Sequence, residues 1–220
     1  MSYRRIILTL LIFLTVAGCK AGQALYKLSV TPDPGGPYQT DSSGKAVTFE
    51  EGGIWGAIVP LSFEALSIPS EIDSRWDFAD PFKGLYPRYK EPIPFYLIIE
   101  NRSHETITLN PSASFSLTLE GWPLFLIEYD DLYQSLYDLP GGADRLERMK
   151  QMFFRSYLTL KPGEHVRGLL LFKRPEPGKR SAKKLFFRIR RIYAGKQELS
   201  FLIPFRLTME KALLPPPGSP

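Results

Sequence analysis

Apolar and polar positions alternate with period two over much of the second half of the chain, as strands with one buried face do. From Ser114 to Glu120, Phe115, Leu117 and Leu119 point one way and Ser114, Ser116, Thr118 and Glu120 the other. From Glu198 to Leu207, Leu199, Phe201, Ile203, Phe205 and Leu207 share one face. Pro204 falls on the opposite face and has no N–H, which predicts that this long strand lies at a sheet edge. Between Lys184 and Tyr193, Leu185, Phe187 and Ile189 keep one phase, and Ile192 rejoins them only if Arg190 and Arg191 oppose a single residue. That slip predicts a β-bulge. Phe95–Asn101 and Val166–Lys173 are more continuously apolar, as central strands covered on both faces are.

Short strands are predicted at Thr106–Leu109, Trp122–Glu128 and Phe154–Leu160, and weaker ones near Leu25–Val30, Ala46–Glu50 and Ile54–Leu61. Gly52-Gly53 marks a turn, Asn101-Arg102-Ser103-His104 another, and Lys161-Pro162-Gly163-Glu164 has the residues of a type II turn. Short strands at such intervals predict a mainly β fold, an antiparallel β-sandwich. The Asn101 turn followed by the Leu160 to Glu164 segment is similar to immunoglobulin-like domains of exported bacterial proteins, over about residues 93 to 207. That resemblance implies an immunoglobulin-like sandwich and no activity.

Asp130–Tyr137 and Ala143–Met152 follow helical spacing instead, joined by Leu139-Pro140-Gly141-Gly142, so a helical insertion is expected over 130–152. Tyr129, Tyr133, Leu136, Tyr137, Met149 and Met152 would form an adhesive surface on it or cap the open end of the sandwich.

The N-terminus has a different character. Arg4 and Arg5 precede an uncharged apolar run, Ile6 to Val16, too short to span a bilayer as a helix and laid out as a signal peptide. Val16-Ala17-Gly18-Cys19 resembles the lipobox of bacterial lipoproteins. The resemblance implies cleavage between Gly18 and Cys19 and acyl chains, palmitate among them, on the Cys19 thiol, which anchor the chain lastingly. The family's sorting rule, with Lys20 rather than aspartate after the cysteine, implies the outer membrane in a Gram-negative cell. The expected organisation is a signal peptide at 1–18, a lipidated flexible tether at 19–44, and one sandwich domain at 45–210. Within the domain 69–94 is a loop rich in proline and in rings such as Trp76 and Tyr86, and a disordered proline-rich tail at 211–220 ends the chain.

Composition narrows the chemistry. Removing the signal takes Arg4 and Arg5, so the net charge falls from +5 to +3. Cys19 is the only cysteine, so no intrachain disulfide or thiolate metal site is available, and His104 and His165 are too few for a three-histidine zinc centre. Glu128, Asp130, Asp131 and Asp138 are the best carboxylate candidates for glycoside hydrolysis or calcium, yet Asp130 and Asp131 also suit a helix start. No nucleophile elbow, phosphate loop or zinc-protease motif occurs. Lys173, Arg174, Lys179, Arg180, Lys183, Lys184, Arg188, Arg190 and Arg191 face a single acid, Glu176, between 173 and 191. That run suits an anionic partner, or a solvated edge that resists aggregation.

The expectation is a non-catalytic, cofactor-free binding or scaffolding domain, lipid-anchored in the bacterial cell envelope. Its predicted partner surface is Tyr133, Tyr137, Met149, Lys183, Lys184, Arg188 and Arg190, its partners the membrane through Cys19 and an envelope protein or anionic envelope component. Nucleic acid is not among them. Two alternatives are an inhibitor or accessory module of an envelope protease and an envelope hydrolase using a carboxylate pair.

Overall fold

The computed structural model describes residues 25–33, 38–62, 91–154, 157–175 and 182–212. The signal segment, Gly18, Cys19, Lys20, the 69–90 part of the proline-rich loop, Lys179, Arg180 and the tail from 213 lie outside the described residues.

Two antiparallel sheets face each other, as the alternation predicts. Strands β1 (Leu25–Pro32), β6 (Ile107–Leu109), β7 (Phe115–Leu119), β8 (Trp122–Leu124), β10 (Leu158–Leu160), β12 (Ala182–Ala194) and β13 (Gln197–Ala212) make the first sheet. Strands β2 (Gln39–Thr40), β3 (Val47–Glu51), β4 (Ile54–Pro60), β5 (Ile93–Asn101), β9 (Leu126–Ile127) and β11 (His165–Phe172) make the second, in the order β2-β3-β4-β5-β11-β9. Phe95 ties the sheets together: its ring lies 6.0 Å from Phe172 on its own sheet, and 5.2 and 5.3 Å from Phe187 and Phe205 on the other. Each such ring pair contributes about 0.5 to 1.5 kcal/mol beyond the area it buries.

The bulge falls where the apolar phase slips. Ile189 pairs with Phe201 and Ile192 with Leu199, so Arg190 and Arg191 together oppose Ser200. Arg191 takes a left-handed backbone (φ 57°), the Ser200 hydroxyl donates to the Ile189 carbonyl at 3.1 Å, and Ile192 returns to the core fully buried. Both glycine turns also form as read: Gly52 and Gly53 have φ of 59° and 74°, and Gly163 has the φ of 80° that a type II turn requires.

Other expectations need correction. β13 is not an edge strand, because β1 pairs with it from Leu25↔Ala212 to Pro32↔Phe205 and β12 flanks it on the other side. Pro204 is tolerated because its carbonyl accepts from the Asp33 N–H at 3.3 Å, where β1 ends. A strand residue's nitrogen and carbonyl face the same neighbour, so the missing donor costs one bond at a strand terminus. Just beyond, the Leu202 N–H donates to the Tyr38 hydroxyl at 3.0 Å. The tether predicted over 19–44 is likewise overturned from Leu25 on, since β1 and β2 belong to the sheets, and β13 carries the domain past 210 to Ala212. The predicted Trp122–Glu128 strand splits at Phe125 into β8 and β9, which join different sheets, and Phe154–Leu160 shortens to β10. Ser114 belongs to a single helical turn, α1 (Pro111–Ser114), rather than to β7.

The insertion forms α2 (Tyr129–Leu136) and α3 (Gly142–Met152). It covers the outer face of the second sheet instead of capping an open end. Leu132, Leu136, Leu146, Met149 and Met152 pack with Val59, Tyr96, Leu169 and Leu171, while the alternate residues Ile58, Leu97, Leu170 and Phe172 fill the space between the sheets. The continuous apolar runs of β5 and β11 thus serve two cores, and the molecule has three layers: helices, second sheet, first sheet. The outer face of the first sheet has no helical layer among the described residues.

Candidate functional site

That uncovered face is where most of the predicted basic surface lies. On β12 the inward set Leu185, Phe187 and Ile189 leaves Lys184, Phe186 and Arg188 pointing out, with Lys184 and Arg188 exposed. Across the β12–β13 ladder Lys184 opposes Arg206, Phe186 opposes Pro204 and Arg188 opposes Leu202. On the other side of β12, Phe186 opposes Thr118 and Arg188 opposes Ser116. The apolar pair Phe186 and Pro204 therefore crosses the face between the Lys184–Arg206 pair and Arg188. Arg190 and Arg191 are both exposed at the bulge and extend the basic region along β12. Among the described residues the side chains of Lys184, Arg188, Arg190 and Arg191 meet no acid, and Arg206 reaches Asp33 only at 4.0 Å. Like charges directly opposed, as Lys184 and Arg206 are, destabilise a sheet. Lys183 departs from the prediction: it falls on the inward-pointing set and is half-buried.

The helical layer carries the other predicted residues. Tyr133 and Tyr137 stack with centroids 5.0 Å apart, and they are 42 and 57 % exposed. Met149 does not join them. It is fully buried against the second sheet, because the apolar side of α3 is spent on covering Tyr96 and Leu169. Tyr129 turns partly inward and donates to the Leu146 carbonyl at 3.4 Å; burial, then Glu147 and Asp130, push its phenol pKa up.

The carboxylates behave as helix-start residues. Glu128 and Asp131 form a reciprocal capping box on α2: the Glu128 N–H donates to Asp131 Oδ2 at 3.2 Å, and the Glu128 side chain accepts from the Asp131 N–H. Asp130 lines a recess of about 300 Å³ with Lys150, Phe153 and Phe154, while Asp138 is exposed beyond the helix. Among the described residues no three His, Cys, Asp or Glu side chains cluster as metal ligands, and no helix is long and apolar enough to cross a membrane. His104 and His165 are both exposed.

Two features escaped the pattern reading. Trp122 and Phe125, 77 and 68 % exposed, stand at the β8–β9 crossover, where the Lys173 N–H donates to the Phe125 carbonyl at 2.8 Å. Pro123 within an aromatic run was the available signal that no continuous strand forms there. The second is Asn101, fully buried. Its Nδ2 donates to the carbonyls of Glu105 and Leu160 at 2.8 and 2.9 Å, and its Oδ1 accepts from the Ser103 N–H and hydroxyl at 3.0 and 2.7 Å. Its backbone accepts from Gly163 and donates to Glu164. One residue thus locks the Asn101–His104 turn, through its side chain to Leu160 and its backbone to Gly163 and Glu164, to the Lys161–Glu164 turn.

No family model, curated protein or solved structure matches this chain.

Proposed function

We propose that the chain is a lipid-anchored, non-catalytic binding or scaffolding domain of a bacterial cell envelope, held by acyl chains on Cys19. The observation that carries the binding role is the two-sided layout. One outer sheet face is basic and has no layer over it among the described residues, and the opposite layer presents the stacked Tyr133–Tyr137 pair. Tyrosine on a rigid helix suits a partner contact, and unpaired cations suit an anionic one. The sequence Val16-Ala17-Gly18-Cys19 supports the anchor. The immunoglobulin-like likeness is supported by the joining of its two turns through Asn101.

Photocrosslinking in living cells from probes at Tyr133 and Arg188 tests the binding role. One recurrent species captured at either site is expected, and random capture at both refutes it. Fractionation of a Cys19→Ser variant tests the anchor: the variant leaves the membrane fraction, and unchanged partitioning refutes lipidation. A second reading, an inhibitor or accessory module of an envelope enzyme, is favoured by the exposed Trp122 and Phe125 at one end of the sandwich. A third probe at Trp122 separates the two, since a hydrolase captured there and nowhere else supports the inhibitor.

A further inference from the structure

We infer that the basic outer face of the first sheet lies on the anionic phospholipid surface of the bilayer that holds the anchor, with the helical layer turned away from it. The inference rests on the lipid-anchored reading and adds the occupant and the orientation.

Chain length supplies the first argument. β1 begins at Leu25, six peptide steps after Cys19, and β1 is a strand of the first sheet. Six extended residues reach about 20 Å, so the sheet cannot stand far from the bilayer. β1 also pairs along its whole length with β13, whose outward residues belong to the face in question.

Charge supplies the second. Lys184, Arg188, Arg190 and Arg191 meet no acid among the described residues, and Arg206 stands opposite Lys184. The acids of this face are Asp33, 4.0 Å from Arg206, Glu120, whose N–H donates to the Lys184 carbonyl, and Glu198 and Glu210 toward its ends, opposite Tyr193 and Lys27; none lies beside Arg188. The like-charge juxtaposition that weakens the free sheet becomes favourable against phosphates. Each basic side chain near an anionic leaflet strengthens contact about fivefold, and a single acyl chain joined to a basic patch gives durable attachment.

Shape supplies the third. β13 has sixteen residues, so the face runs about 50 Å at 3.3 Å per residue, and among the described residues no helix lies over it. Phe186 and Pro204, between the Lys184–Arg206 pair and Arg188, and the 43 % exposed Leu202 opposite Arg188 form the apolar strip that would meet the headgroup region.

The test uses the full lipid-modified protein, purified from membranes and reconstituted in vesicles of phosphatidylcholine with or without phosphatidylglycerol. Cys19 is the only native cysteine, so Leu202→Cys on the sheet face and the exposed Gln134→Cys on α2 can be labelled singly with a fluorophore. Flotation reports the anchor, and a lipid-borne quencher reports which face meets the bilayer. In anionic vesicles the label at position 202 should be quenched at least about fivefold more than the label at 134. Adding K184E, R188E and R190E should abolish the difference while flotation and the thermal melt persist. Flotation with equal quenching at both positions overturns the orientation. Protection of position 202 in cells but not in pure lipid assigns the face to an acidic envelope protein and overturns the inference too. Loss of flotation itself refutes the anchored reading.

Discussion

Replacing Asn101 should separate its hydrogen-bonding role from mere occupancy of space. In Asn101→Ala four side-chain hydrogen bonds disappear. At about 1 kcal/mol net each they sum to about 4 kcal/mol, a large share of the 5 to 15 kcal/mol typical of a domain. For a chain of this size the melting temperature should fall by about 8 to 16 °C. Asn101→Asp keeps the acceptor side toward Ser103 but sets a carboxylate oxygen where Nδ2 now donates to two carbonyls, 2.8 and 2.9 Å away. An ionised carboxylate there is both desolvated and repelled, so its folded-state pKa rises above the unfolded value of about 3.9. A raised acid contributes its stability below the unfolded pKa and loses it as pH rises through the folded pKa. The deficit of the variant against the native chain should therefore be smallest near pH 4 and grow by about 1.4 kcal/mol per pH unit until the folded pKa is passed. Urea denaturation followed by circular dichroism between pH 4 and 8 measures both effects. An alanine variant within about 1 kcal/mol of native, or an aspartate variant that recovers toward neutral pH, refutes the reasoning.

Three further substitutions probe the sandwich. Among the described residues the buried Ser114 hydroxyl has no hydrogen-bond partner, so Ser114→Ala should leave stability unchanged or raise it by up to about 1 kcal/mol, and a loss above that in a thermal melt contradicts the assignment. A Cβ at Gly56 would stand 2.1 Å from Cζ of Phe49, which itself packs 4.5 Å from Phe201; Gly56→Ala should cost about 1 to 3 kcal/mol, and adding Phe49→Leu should return part of it. Arg191 holds a left-handed backbone at the bulge, so Arg191→Gly should stabilise by up to about 1 kcal/mol and Arg191→Val should destabilise, readable as opposite shifts in urea midpoint.

Period-two alternation was legible wherever one face of a strand meets the core, because burial imposes it residue by residue. Even the bulge could be read, since Ile189 and Ile192 cannot both be buried on a regular strand. Pro204 misled because a missing N–H is equally harmless at a sheet edge and beside the end of a neighbouring strand. Met149 misled for a related reason. The continuous apolar runs of β5 and β11 announced a second covered face, and the amphipathic helices announced something to cover; joining those clues would have buried Met149 rather than exposed it. The Asn101 link was out of reach because its partners Leu160 and Glu164 lie about sixty positions away and nothing in local spacing records a contact at that range. Of the proposed site, the β12 arginines were visible as charge, whereas the facing of Lys184 by Arg206 required the register.

The partnership of β1 with β13 also governs when this molecule can exist. The first described strand finds its ladder only in the last, across some 180 intervening positions, so a chain emerging N-terminus first cannot complete this sheet until its final strand is free. A fragment stopped before Gln197 would leave β1 without its ladder and one edge of β12 open, so a truncated copy would present bare strand edges of the kind that invite aggregation.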